Sequence, residues 1–79
     1  MGFYIKITKI HEDTDVVHYS FSPGGDASGV IEVAKSTGEM MSVKPMEGDG
    51  RELFVSRAAA RLKQVIRDGV YPDSAEWAS

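Results

Sequence analysis

Cysteine is missing from this sequence altogether. That removes disulfide staples, thiolate metal sites and cysteine nucleophiles, and it fits a reducing compartment, so a cytoplasmic protein is expected. Long apolar runs are missing too. A membrane-spanning helix needs roughly 20 consecutive apolar residues, and no stretch here comes near that, so no membrane partner is expected. An excess of positive charge is the third absence. Nine Lys and Arg stand against twelve Asp and Glu, for a net charge of −3, whereas a surface given over to nucleic acid must neutralise phosphates. Low-complexity tracts and internal repeats are absent as well. With 79 residues, there is room for a single domain over 1–79 and none for a second core.

What is present has clear periodicity. MGFYIKITKI alternates apolar and polar residues, so it reads as a strand over about 3–10 with Phe3, Ile5 and Ile7 on one face, not as a signal peptide. Lys6 stands where a myristoylation signal has Ser or Thr. After the polar cluster His11-Glu12-Asp13-Thr14-Asp15, a second strand over 16–22 places Val17, Tyr19 and Phe21 inward and Val16, His18 and Ser20 outward. Ser22 to Gly29 is rich in turn residues. A third strand over 30–35 puts Ile31 and Val33 inward. A Thr37-Gly38 turn leads to a fourth over 40–44, with Met41 and Val43 as its expected core pair, ended by Pro45.

A helix is expected over about 50–68. Asp49 and Glu52 have capping-box spacing. Phe54, Val55, Ala58, Ala59, Leu62, Val65 and Ile66 fall within one arc of the helical wheel, a core-facing stripe. Lys63 and Arg67 lie near the end that favours cations, and Gly69 suits the left-handed residue after it, with Val70 touching Val65. Such a stripe must bury against the apolar face of the sheet. The fold expected is therefore α+β: a four-stranded antiparallel β-meander with one C-terminal α-helix packed on one face and a short tail over 70–79. The helix C-terminus, the HEDTD loop and the Thr37-Gly38 turn should share one end. In the tail, Asp73 and Glu76 repeat the capping spacing and predict one helical turn, with Trp77 a clasp on the core or, if exposed, a contact residue.

Few residues suggest chemistry. His11, Glu12, Asp13 and Asp15 gather oxygens and an imidazole, but without the length, central glycine or terminal glutamate of a Ca²⁺ loop, so they read as a polar hairpin loop and no metal is expected. His18 has Glu32 as a cross-strand neighbour, yet nothing completes a catalytic set, so no catalytic residue is assigned. Ser22-Pro23-Gly24-Gly25-Asp26 is neither a Walker loop nor a dinucleotide fingerprint, so no cofactor is expected. Arg57, Arg61, Lys63 and Arg67 offer an alternative basic surface for nucleic acid. By parity the outer sheet face carries Tyr4, Thr8, Ile10, Val16, His18, Val30, Ala34, Met40 and Met46. Two readings stand: a partner surface, including a homodimer contact, or edge residues covered by the tail.

Thr37-Gly38-Glu39, Ser56-Arg57-Ala58-Ala59 and Gly69-Val70-Tyr71-Pro72 running to Trp77-Ala78 resemble a group of small bacterial β4-α single-domain proteins, some of them similar to immunity proteins. That resemblance implies a non-enzymatic domain that neutralises a toxin by binding it. Nuclease toxins are usually basic, so Glu12, Asp13, Asp15 and Glu39 become the expected partner-binding residues.

Overall fold

The structure is a computed structural model and describes residues 4–24 and 27–78. It holds one sheet and one helix. In chain order the elements are β1 (Tyr4–Glu12), β2 (Val16–Ser22), β3 (Gly29–Ala34), β4 (Met40–Lys44), α1 (Leu53–Val65) and β5 (Ser74–Ala78). The sheet runs β4-β3-β2-β1-β5, with every neighbouring pair antiparallel. Five strands replace the expected four, and the helix is followed by a strand. Phe3 lies outside the described residues.

The alternation in the first three strands does what period-two patterning predicts. Ile5 and Ile7 of β1, Val17, Tyr19 and Phe21 of β2, and Ile31 and Val33 of β3 are all buried on one face. Gly29, at the start of β3, is opposite Phe21. A Cβ there would run into the Phe21 ring and the Lys44 carbonyl, so the close approach of β2, β3 and the end of β4 depends on a missing side chain. The helix supplies the other half of the core. Ala58 and Leu62 are fully buried, and Phe54, Val55, Ala59, Val65 and Ile66 pack around them. This is the stripe the wheel predicts.

Four local expectations are corrected. First, β4 is turned over. Met41 and Val43 are exposed, while Met40 packs against the core and Met46 is buried within it. Val33 lies opposite Met40 and Ile31 opposite Ser42, so Met40 and Ser42 share the core face. The register shift beyond Ser42 leaves Val43 as the extra residue of a β-bulge. Second, the helix is shorter than 50–68 and its cap differs. Glu52 is left-handed (φ 55°) and makes no side-chain cap. Asp49 still serves the helix start: its two carboxylate oxygens accept the N–H groups of Phe54 and Val55, each at 3.1 Å.

Third, the helix ends at Val65, with the Ile66 N–H bonded to the Leu62 carbonyl at 2.9 Å. Gly69 is left-handed (φ 75°) as expected but belongs to a separate turn. It follows Asp68 (φ 54°), and the Val70 N–H closes on the Arg67 carbonyl at 2.8 Å. Two successive positive φ values define the tight turn that Asp-Gly favours. Val70 is 65% exposed and does not pack as a helix-end contact. Fourth, the tail is a strand. Ser74 to Ala78 pairs with β1, placing Ala75 opposite Ile7 and Trp77 opposite Ile5. Both tail residues pack on the core, so the short alternation Ala75–Trp77 outweighs the Asp73–Glu76 spacing.

The helix carries the chain from one edge of the sheet to the other. It packs most heavily on β5, with lesser contacts to β2, β1 and β3. Arg57 and Arg61 stand over the Trp77 ring, their guanidinium carbons 5.9 and 5.4 Å from its centre. Cation–π attraction and the stems of both arginines therefore seal the β5 side.

Candidate protein-binding surface

Among the described residues no element covers the face of the sheet away from α1. Tyr4, Lys6, Thr8, His18, Ser20, Val30 and Glu32 lie on it by alternation from the buried residues, and β5 runs beside β1 in the same layer instead of covering them. Of the two readings of this face, coverage by the tail is removed. Met40 and Met46 leave the expected set, and Met41 and Val43 enter it. Ile10 is the extra residue of a second bulge, where Lys9 is opposite Tyr19 but His11 is opposite His18. Tyr4, Ile10, Met41 and Val43 are 44%, 55%, 62% and 45% exposed, and all four belong to this face. Exposed apolar side chains taken singly are ordinary; these four form two pairs, on β1 and on β4, with β2 and β3 between them.

Across the middle of the face runs a row set by strand register: His11, His18, Glu32 and Met41 on β1 to β4. The two imidazole rings sit 5.4 Å apart, tilted by 47°. His18 Nε2 lies 3.0 Å from Glu32 Oε1, and His11 Nε2 lies 3.0 Å from Asp13 Oδ2. An ionised carboxylate only accepts, so in both pairs Nε2–H is the donor. The expected His18–Glu32 neighbourhood is therefore present. Acid–base chemistry needs a reacting partner as well. Among the described residues no hydroxyl bonds to either imidazole, and no group of three or more His, Asp or Glu is placed to hold a metal ion.

The four carboxylates expected to face a partner have different surroundings. Glu12 turns to the helix side and bridges Lys9 at 2.7 Å and Lys35 at 2.8 Å. Those two ammonium groups lower its pKa to about 2, Lys35 contributing most. Asp13 is held by His11 and by the N–H groups of Val16 and Asp15, and these bonds keep its carboxyl well below the usual range. It shapes the β1–β2 turn. Asp15 and Glu39 are exposed and form no ion pair among the described residues. They share one end of the sheet, since the Lys35 N–H binds the Asp15 carbonyl and the Ala34 N–H binds that of Glu39. Lys63 of α1 lines a shallow hollow there with Thr37, Gly38 and Glu39, so the expected common end is correct.

The basic residues are not gathered. Arg57 and Arg61 lie over Trp77, Lys63 faces the β3–β4 turn on another flank, and Arg67 donates from Nε to the Gln64 carbonyl at 3.1 Å. No single patch joins them.

Lys9 contributes something the sequence did not announce. Besides Glu12, its ammonium donates to the Tyr71 carbonyl at 3.1 Å and pairs with Asp73 at 3.1 Å. The Tyr19 hydroxyl donates to the Pro72 carbonyl at 2.8 Å. Together they fasten residues 71–73 as the chain enters β5. The only sequence signal was Lys9 itself, one position before the bulge that turns Glu12 to the same side.

Among the described residues no helix is long and apolar enough to cross a membrane. The arrangement is that of an α+β domain with one closed and one open sheet face. No protein-family model matches the chain, and neither a curated protein nor a solved structure does.

Proposed function

We propose that this chain is a non-enzymatic binding domain that seats another protein on the bare face of its sheet, as an immunity or antitoxin-like protein covers a toxin. The observation that carries this reading is the uncovered face itself, with Tyr4, Ile10, Met41 and Val43 exposed on it. The exposed apolar side chains offer area to bury and the polar row between them offers hydrogen-bonding groups, and protein contacts use both. The net charge of −3 favours a basic partner. Asp15, the exposed carboxylate of the β1–β2 turn, would steer its approach. Neutralisation would be steric: the partner's working surface is covered, and no bond is made or broken.

The test is calorimetric titration against the product of the neighbouring gene. Ile10→Lys, at a bulge residue that bears no core contact, should weaken binding by roughly tenfold or more. Asp15→Lys should slow association and reduce its salt dependence. Glu12→Lys should instead lower the melting temperature, because Glu12 bridges two lysines. Unchanged affinity in Ile10→Lys would remove the sheet face from the reading.

A further inference from the structure

The sheet has two edges, and their chemistry differs. An edge strand leaves backbone N–H and C=O groups unpaired, and proteins commonly blunt such edges with charge or cover. At β5 the central residue is Glu76. Antiparallel pairing of β5 with its own copy about that centre would set Glu76 against Glu76, so this edge rejects itself.

At β4 the pattern is reversed. Its five residues are Met40, Met41, Ser42, Val43 and Lys44, with the small uncharged Ser42 in the middle. Met41 through Lys44 are all exposed. The helix lies over β5 and the central strands. The chain leaving β4 dives inward, since Met46 is buried in the core. Among the described residues no strand pairs with the outer side of β4, and the segment after it lines a small hollow with Ser42 on the way to α1.

Reversing β4 about Ser42 gives a self-complementary strand. Ser42 meets Ser42, Met41 meets Val43 of a second copy, and Val43 meets its Met41. Lys44 of each copy comes opposite Met40 of the other, one residue along from its Glu39. Among the described residues neither Lys44 nor Glu39 has an ion-pair partner within the chain. No like charges are opposed. These are the demands of a two-fold contact, in which one patch must fit itself.

We infer that β4 pairs antiparallel with β4 of a second copy, centred on Ser42, and joins two sheets into one. With only five residues in the strand, the contact belongs to the small and reversible class. It uses an edge, not the open face, and so stands whether or not that face holds another protein.

The absence of cysteine from the chain permits a clean test. Opposed Cα atoms in an antiparallel pair lie about 4.5–5.5 Å apart, inside the roughly 4.4–6.8 Å that a disulfide spans. Ser42→Cys should oxidise to a covalent dimer, while Ser56→Cys, exposed on the helix, should stay single under the same conditions. In parallel, sedimentation of the unaltered chain should show mass rising from one copy to two with concentration. Lys44→Glu or Glu39→Lys alone should raise the dissociation constant about tenfold, by setting like charges together. The double exchange should restore it. A single-copy mass at every concentration up to about 1 mM would overturn the inference. So would Ser42→Cys coupling no faster than Ser56→Cys, or a dimer indifferent to both charge reversals.

Discussion

The two edge strands are the same length and are joined to each other by the helix, yet one is built in and the other left out. β5 gives Ala75 and Trp77 to the core, lies under α1 and receives two arginines over its tryptophan. β4 gives Met40 to the core, and Met41 through Lys44 are exposed. One helix, about 10–12 Å across with its side chains, packs mainly on β5 and more lightly on β2, β1 and β3. It is narrower than a sheet of five strands spaced about 4.8 Å apart. The core therefore has a closed side and an open one. Stability concentrates where the helix lies, and surface free for contacts is left where it does not.

The sharpest way to break this contrast is to empty the closed side. Trp77→Ala should cost roughly 2–4 kcal/mol, near the lower end for a core aromatic because the ring is only partly buried. For a chain of 79 residues whose whole stability is about 4–12 kcal/mol, that is a large share, and chemical denaturation measures it. Trp77→Phe should cost much less. It keeps a ring beneath the guanidinium groups and removes an indole Nε1 that is buried with no acceptor among the described residues.

Next come the bonds that fasten the approach to β5, which respond to pH. The folded-state pKa of Glu12 is depressed from 4.5 to about 2, so its contribution is complete above about 4.5 and lost as pH falls to about 2. Burial raises Tyr19 from 10.0 to about 12, so the folded chain keeps a proton the unfolded chain releases, and stability falls from about pH 10 to about 12. Melting temperature against pH should therefore fall off at both ends. Glu12→Gln should flatten the acid limb. Tyr19→Phe should flatten the alkaline limb and cost about 1 kcal/mol at neutral pH for its lost bond to Pro72.

The smallest effect is expected at the open side. Met41→Ser and Val43→Ser should each change stability by less than about 0.5 kcal/mol, as ordinary surface substitutions do. A loss as large as that of Trp77→Ala would mean that β4 is as much a part of the core as β5, and the contrast would fail.

Much of this was legible in the sequence, and each failure has a physical cause. The bounds of β2 and β4, the inward residues of β2 and β3, and Ile5 and Ile7 of β1 followed from alternation. The buried stripe of α1 followed from helical spacing. Parity fails at a bulge, which inserts one residue and leaves the partner strand in step. In β4 the phase is lost before its bulge: Met40 and Met41 are adjacent and equally apolar, so alternation alone does not say which of them points inward, and both faces of the strand are exchanged. β5 was missed because five residues hold only two inward positions, Ala75 and Trp77, while Asp73 and Glu76 imitate a helix start. Of the surface, the His18–Glu32 pair could be read from neighbouring strands. The engagement of Glu12 by lysines 3 and 23 residues away in sequence could not.

The pairing of Tyr4 with Ala78 and of Ile5 with Trp77 has a consequence in time. β1 is made early and β5 after every other described element, so the edge of β1 that will receive β5 stands open while everything between is synthesised. Folding on the ribosome can assemble the β1–β2–β3–β4 hairpins in order of emergence, but closure waits for residues 74–78. That final pairing joins segments some 70 residues apart (|i−j| is 72 for the Tyr4–Glu76 bond), and loop closure over such a span is the slow part of building a sheet. A chain interrupted before that point would carry the same open strand without the piece that shields it.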